Sequence, residues 1–152
     1  MHSWHAEDSV IIQADIEKIF RTLRDYNTFG KTFGLGYQPY GYRTRIIGNE
    51  ELVEEGSIVS HRLLTLHFKR RVEIIEPNSR IVERYIGPNY IGSGIWRLEQ
   101  SPQGVRVTYI YDAADTGWRS KLIYAISGSR SHHFFYSSGL NRLKRKLETE
   151  ME

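Results

Sequence analysis

Apolar residues in the last third of the chain repeat at helical spacing from residue 116 to residue 148, with no proline between them. One helical face runs through Leu122, Ile126, Ser129, His133, Tyr136, Leu140, Leu143 and Leu147. The two ends of this line are apolar and its middle is polar. A helix that lies flat on a close-packed core has little reason to bury polar side chains in the middle of its apolar face. The pattern therefore predicts a long C-terminal helix that covers a hollow.

The first part of the chain predicts a short strand followed by a helix. The strand is predicted over residues 10–14, and Asp15 is a good N-terminal cap for the helix after it. The helix is predicted to end near residue 26. Its apolar face carries four residues: Ile16, Ile19, Phe20 and Leu23. Residues 27–36 contain three glycines between apolar anchors, which predicts a second short helix or an irregular segment.

Between residues 37 and 112 the pattern changes to a period of two, which is typical of β-strands. Turn-rich segments divide this region: residues 48–56, 77–79, 87–89 and 101–104. Residues 57–75 are too many for one ordinary strand, so we expect a bend near Leu64. About six strands in succession, joined by short turns, predict an antiparallel meander. Such a sheet has one face to cover, and only the long helix is large enough to cover it.

Composition places the chain among ordinary globular proteins. It has 152 residues, of which 39% are hydrophobic and 26% charged, and it shows no linker, so we expect one domain over residues 1–152. The formal net charge is only +3, and we interpret the basic clusters at residues 69–71 and 144–146 as solvated surface rather than a nucleic-acid site. The chain has no cysteine, no apolar run of membrane length and no signal sequence. We therefore expect a cytoplasmic protein without an integral membrane segment.

Several short stretches resemble one superfamily when they are taken in order. They are residues 10–20 (VIIQADIEKIF), 25–26 (DY), 72–77 with 80–81 (VEIIEP and RI), 94–98 (GIWRL), 104–109 (GVRVTY) and 140–147. The order is similar to that of the START-like superfamily, also called SRPBCC, which includes polyketide cyclases and lipid-transfer domains. The resemblance implies an α+β helix-grip fold, in which a curved antiparallel sheet of about seven strands wraps around the C-terminal helix. It also implies one or two short helices after the first strand, and an apolar cavity. It implies no reaction, because members include enzymes, carriers and receptors.

The polar middle of the helix face supplies the first candidate ligand contacts. Ser129, His133 and Tyr136 would hydrogen-bond the few polar atoms of a guest, and Leu122 and Ile126 would contact its apolar part. His133 is also a candidate general acid or base. The alternative is a histidine whose hydrogen bonds are satisfied by a neighbouring strand.

Aromatic residues supply a second group of candidates. Strand alternation predicts that Trp96, Tyr109 and Tyr111 face inward, where a tyrosine offers an apolar ring with a polar tip. Tyr42 and Phe33 are predicted at the mouth of the cavity, beside the glycine-rich segment. Ordinary core packing is an equally good interpretation of any single one of these positions.

The remaining candidate features are two aromatic residues on the outer helix face and a pair of histidines. Tyr124 and Phe135 fall on the opposite side of the predicted helix, where exposed aromatic residues would form a homodimer or partner surface. A kink at residues 127–129 that turns one of them inward is the favoured alternative. His61 and His67 lack an evident third ligand, so we expect no metal site, and no cofactor motif occurs.

The sequence thus predicts a protein that binds a small hydrophobic or amphipathic molecule, a lipid or a polycyclic aromatic, in an internal cavity. One alternative is an enzyme similar to polyketide cyclases or dehydratases, with His133 or a cavity tyrosine as acid or base. Another is a protein-interaction module that uses the outer face of the helix.

Overall fold

In a computed structural model, the residues described are 3–25, 41–47, 53–61, 64–88, 90–118, 121–122, 125 and 130–150. The elements, in chain order, are β1 (Ser3–Ile12), α1 (Ile16–Arg24), β2 (Gly41–Ile47), β3 (Val53–His61), β4 (Leu64–Glu76), β5 (Arg80–Pro88), β6 (Tyr90–Ser101), β7 (Gly104–Asp115) and α2 (Arg130–Thr149).

The seven strands form one antiparallel sheet in the order β1-β7-β6-β5-β4-β3-β2. Strands β2 to β7 follow one another as a meander, whereas β1 pairs with β7, from Ser3 opposite Ala114 to Ile12 opposite Val105. The predicted antiparallel meander and the C-terminal helix are confirmed. The bend predicted near Leu64 is confirmed as well, because β3 ends just before it and β4 begins there.

The starts of two strands differ most from the prediction. The first strand begins at Ser3, well before residue 10, because its early residues alternate polar side chains outward with Ala6 and Asp8 inward. A strand with so few apolar residues gives only a weak hydrophobic signal. The third strand begins at Val53, inside a segment predicted as turn because of its acidic residues.

The first helix follows the prediction closely. The Asp15 side chain accepts hydrogen bonds from the backbone N–H groups of Glu17 and Lys18, at 2.9 and 3.2 Å, which satisfies two donors at the helix start. The apolar face is buried through Ile19, Phe20 and Leu23. This helix closes one end of the core.

The C-terminal helix is anchored to the end of β1 by polar contacts. The Lys144 ammonium donates to the backbone carbonyl of Ile11 at 2.7 Å, and the Glu148 carboxylate accepts from the backbone N–H of Gln13 at 2.9 Å. The interpretation of residues 144–146 as solvated surface is therefore wrong for Lys144. Its long side chain lies along the helix and reaches the strand.

The helix extent is confirmed only in its second part. The predicted helix covered residues 116–148, and α2 spans Arg130–Thr149. Trp118, Lys121, Leu122 and Ala125 are also helical. The residues between them lie outside the described part of the chain, so one continuous helix stays a prediction.

The core beneath the second half of α2 is apolar and closely packed. Its fully buried residues include Ile12, Ile19, Leu23, Ile81, Val105, Val107, Leu140, Leu143 and Leu147, each no more than 1% exposed. Burial of one such leucine or isoleucine side chain contributes about 2 kcal/mol. This half fixes the helix on the sheet, and the buried aromatic and ionisable side chains lie beneath the other half.

Candidate functional site

Among the described side chains, five aromatic ones gather where the first half of α2 meets the sheet. Tyr85 of β5, Trp96 of β6, Tyr109 and Tyr111 of β7, and Tyr136 of α2 are all at most 9% exposed. The ring of Tyr109 lies between those of Trp96 and Tyr136, with centroid distances of 4.4 and 4.6 Å. Tyr85 and Tyr111 meet edge to face at 5.4 Å. Strand alternation directs the four strand residues to the same face, as predicted for Trp96, Tyr109 and Tyr111.

The tyrosine hydroxyls form a buried polar cluster. The hydroxyl oxygens of Tyr85 and Tyr109 are 2.9 Å apart, and Tyr136 is hydrogen-bonded to Tyr85 as well. Burial raises the pKa of Tyr109 and Tyr136 well above the usual value for tyrosine, and raises that of Tyr85. These hydroxyls therefore stay protonated at neutral pH, and each can both donate and accept. We call Tyr85, Tyr109 and Tyr136 the hydroxyl cluster.

A glycine makes room for this cluster. A Cβ atom on Gly94 would lie 2.3 Å from the hydroxyl oxygen of Tyr109. Gly94 stands in β6, between Glu83 of β5 and Tyr111 of β7. Any side chain there would displace the hydroxyl, so the absence of a Cβ is a condition for the site.

A buried ion pair lies beside the hydroxyl cluster. Arg70 and Glu83 are 4% and 0% exposed, and the guanidinium donates from Nη1 to the Glu83 carboxylate at 2.9 Å. Arg70 stands directly opposite Tyr85 in the sheet. Both charges act on the tyrosines, with Arg70 lowering and Glu83 raising the pKa of Tyr85. A buried ion pair contributes little net stability, which makes a role in the site the better explanation of its presence.

Sequence reasoning missed both members of this pair. The interpretation of residues 69–71 as solvated surface is wrong for Arg70. Consecutive residues of a strand point to opposite faces, so Arg70 and Val72 turn inward while Arg71 is exposed. The alternation was present in the sequence, but a run of three basic residues concealed it.

His133 does not occupy the position predicted for it. Its side chain is 73% exposed, and Nδ1 contacts the Asp8 carboxylate, whose side chain is only 5% exposed. The inward orientation of His133 is therefore wrong, because the residue lies on the flank of the buried helix face and reaches over the edge strand β1. The alternative holds instead, since a side chain of a neighbouring strand accepts its hydrogen bond. Burial raises the pKa of Asp8, and His133 opposes this only in part.

Asp8 is another residue that sequence reasoning missed. The alternation of β1 places Ala6, Asp8, Val10 and Ile12 on the inner face. The signal appears only once the strand is extended to its true start. In a strand, a single acidic residue among apolar residues that point to the same face indicates a buried carboxylate.

The remaining predicted residues fall into two groups. Leu122 is 41% exposed, so its predicted inward position is wrong. The helical spacing that places Leu140, Leu143 and Leu147 on the buried face does not predict the orientation of Leu122, which precedes α2. Other predicted positions lie outside the described residues or have side chains outside them: Phe33, Tyr42, Tyr124, Ile126, residues 127–129 including Ser129, and Phe135.

Two further features are absent from the described ranges. No group of three or more His, Cys, Asp or Glu side chains there is placed to hold a metal ion. No helix in the same ranges is long and apolar enough to cross a membrane.

Comparison with solved structures shows the fold. The aromatase/cyclase Zhui from Streptomyces sp. R1128 superimposes with a TM-score of 0.73 at 14% identity, over 99% of this chain and 97% of that one. The di-domain aromatase/cyclase StfQ of the steffimycin biosynthetic pathway gives 0.71 at 11% identity, over 98% of this chain and 52% of that one. Protein TTHA0849 from Thermus thermophilus gives 0.73 at 13% identity, over 99% of this chain and 100% of that one.

These similarities confirm the helix-grip fold expected from the order of motifs. No family model matches the chain. No curated protein matches it either. At such low identity the neighbours establish the architecture and leave the activity to be argued from the site.

Proposed function

We propose that the chain binds a small, largely apolar molecule with at least one polar oxygen, between the sheet and α2. The observation that carries this proposal is the hydroxyl cluster beside the Arg70–Glu83 ion pair. Sites for small molecules combine apolar walls with a few convergent polar groups, and this cluster supplies the polar groups. A lipid or a polycyclic aromatic with a carbonyl or phenol group fits that description.

The aromatic rings support the apolar part of the proposal. Trp96, Tyr109, Tyr111 and Tyr136 present stacked or tilted rings, which suit the flat face of an aromatic guest. Within the described residues α2 packs mainly on β1, at one end of the strand order, while β2 and β3 stand at the other end. A ligand that lies against the inner face of the sheet beyond Tyr136 would reach the hydroxyl cluster at one of its ends.

The test compares two probes that differ by one hydroxyl. We expect 2-naphthol to bind more tightly than naphthalene, because only 2-naphthol can hydrogen-bond the cluster. Tyr136→Phe keeps the ring and removes one hydroxyl, so it should weaken 2-naphthol about fivefold, as expected for one lost hydrogen bond, and leave naphthalene unchanged. Isothermal titration calorimetry measures both affinities.

Tyr111→Phe is the matched control, because it removes a hydroxyl from the same aromatic group but outside the hydroxyl cluster. It should leave the ratio of the two affinities unchanged. Equal affinities for the two probes, in the wild type and in Tyr136→Phe, would refute the role of the cluster. Mass spectrometry of the protein purified under non-denaturing conditions would then show whether a different molecule is carried.

A second candidate function is that of a cyclase-like enzyme. Two structural neighbours are aromatase/cyclases, and the hydroxyls of Tyr109 and Tyr136 keep their protons because burial raises the pKa of each. A protonated, buried hydroxyl can donate to the oxygen of an enolate as it forms during ring closure. In this alternative a buried tyrosine is better placed to donate a hydrogen bond to the substrate than His133, which lies at the surface.

Turnover separates the two candidates. An enzyme would convert a linear poly-β-keto thioester into an aromatic product faster than the uncatalysed reaction, and Tyr109→Phe would lower kcat while Tyr111→Phe would not. A binding protein would hold the thioester without changing it. Liquid chromatography of the products over time distinguishes these outcomes.

A further inference from the structure

The contact between Asp8 and His133 is unusual in its asymmetry. The carboxylate is covered, with a side chain 5% exposed, while the imidazole that covers it is 73% exposed. The carboxylate therefore loses most of its hydration. The imidazole faces water, so solvent screens its electrostatic attraction to the carboxylate. The imidazole is also a cation only when it is protonated.

The described side chains around Asp8 offer little else to offset its charge. In β7 the residue opposite Asp8 is Tyr109, whose hydroxyl is hydrogen-bonded to Tyr85. The charged groups of the same two strands, Glu7, Asp112 and Arg106, stand on the outer face. Among the side chains of α2 that the structure describes, those that face this region are His133 and Tyr136. Among the described residues, His133 is the group whose charge is resolved as acting on Asp8.

We propose that Asp8 and His133 form a proton-controlled gate, in which a proton on the Asp8 carboxyl keeps residues 130–136 of α2 on β1, and loss of that proton loosens them. Without the proton, a charged carboxylate lies covered under the helix, and the exposed imidazole compensates its lost hydration only in part. Movement of the helix away from β1 rehydrates the carboxylate. Tyr136 is three residues after His133 and packs on Tyr109, so the same movement uncovers the hydroxyl cluster.

The direction of the pH effect follows from the closed state. Burial raises the pKa of Asp8 above that of a hydrated aspartate, so the closed state holds a proton more tightly than the open state. Stability that depends on this proton is complete below the ordinary aspartate pKa and is lost as pH rises through the pKa of the closed state. The gate therefore closes on acidification and opens as pH rises. An ion pair that simply stabilises the helix would loosen when Asp8 is protonated.

Hydrogen–deuterium exchange of the amides of residues 131–138 tests the gate without any ligand. After correction for intrinsic rates, the opening constant of the wild type should rise with pH, by at most about tenfold per pH unit for one proton. Asp8→Asn removes the buried charge, so its exchange should be slower than that of the wild type and independent of pH. His133→Ala leaves the carboxylate covered without its cation, so its exchange should be faster.

The His5–Asp112 pair provides a matched control. It joins β1 to β7 through the same two residue types, a histidine and an aspartate, but both side chains are more than half exposed. Asp112→Asn should leave the exchange of residues 131–138 unchanged at every pH. In an Asp8→Asn background, His133→Ala should have a smaller effect than it has alone, because no charge remains to be covered.

Faster exchange in Asp8→Asn than in the wild type would overturn the proposal, and so would wild-type exchange that does not increase with pH. The wild-type series alone decides the matter if Asp8→Asn fails to fold. The biological role of the gate rests on the proposed function, but its test does not. If exchange behaves as expected and 2-naphthol does not bind, the gate stands and the proposed ligand class fails.

Discussion

In the second half of α2, Leu140, Leu143 and Leu147 are each at most 1% exposed, and they meet a core of aliphatic side chains. In its first half the same helix meets the sheet through Tyr136 and His133, which contact an aromatic ring and a carboxylate. One half is held mainly by the burial of leucines, which does not depend on pH, together with the contacts of Lys144 and Glu148 to β1. The other is held by hydroxyls and a proton, and a small change in chemistry can alter it.

The difference shows how one helix can serve two purposes. Buried polar groups stabilise a fold less reliably than buried leucines. If a buried polar group loses its hydrogen-bond or ionic partner, it stays without water and the fold loses stability. Their concentration on one side of the molecule marks the place where binding, rather than stability, explains the residues. The leucine half supplies enough stability for this arrangement to be tolerated.

The largest expected effect comes from the buried ion pair. Glu83→Gln leaves the Arg70 guanidinium covered without its carboxylate, which should cost about 4 kcal/mol in the free energy of unfolding measured with urea. Glu76→Gln breaks the exposed contact with Arg80 and should change stability little. A double variant with Arg70→Met and Glu83→Leu should recover much of the loss. If Glu83→Gln and Glu76→Gln had equal, small effects on the free energy of unfolding, the Arg70–Glu83 pair would be solvated rather than buried.

A somewhat smaller loss is expected in the leucine half. Leu143→Ala removes a fully buried side chain and should cost about 3 kcal/mol, through lost burial and the cavity left behind. Leu122→Ala, at a position 41% exposed, should cost much less. The loss in Leu143→Ala should be the same at all pH values at which the protein is folded. Pronounced pH dependence would contradict the division of α2 into two halves.

Much of the fold could be predicted because it follows from local patterns. The cap at Asp15, the apolar face of α1 and the strand periodicity each depend on neighbours in sequence. The inward positions of Trp96, Tyr109 and Tyr111 followed from strand parity in the same way. Each of these features depends on residues that are close both in sequence and in space.

The site was less predictable because its key contacts join distant residues. Asp8 and His133 meet only because β1 pairs with the last strand, which brings the chain start beneath the last helix. Arg70 was assigned to the surface because its neighbours in sequence are basic, and Glu83 was not singled out at all. A buried charge can be predicted only when its partner is known, and the partners here come from different strands.

A smaller effect is expected where the hydroxyl cluster meets the backbone. Gly94→Ala places a methyl group against the hydroxyl of Tyr109 and should destabilise the protein by about 2 kcal/mol. Tyr109→Phe removes the hydroxyl that the methyl group meets, so Gly94→Ala should cost less in that background. Thermal unfolding of the four proteins measures this coupling. Additive effects would show that the glycine serves the strand rather than the cluster.

The smallest effect concerns the outer histidine–aspartate pair. The hydrogen bond to Asp112 raises the pKa of His5 above the usual histidine value, so any stability it adds is complete below the pKa of an unfolded histidine and is lost as pH rises through the folded pKa. NMR titration should show this raised pKa in the wild type and its return toward the ordinary value in Asp112→Asn. Both side chains face solvent, so thermal stability should hardly change. A marked loss of stability in Asp112→Asn would show that the His5–Asp112 pair behaves like the Asp8–His133 pair. The contrast between the covered carboxylate of Asp8 and the hydrated carboxylate of Asp112 would then be wrong.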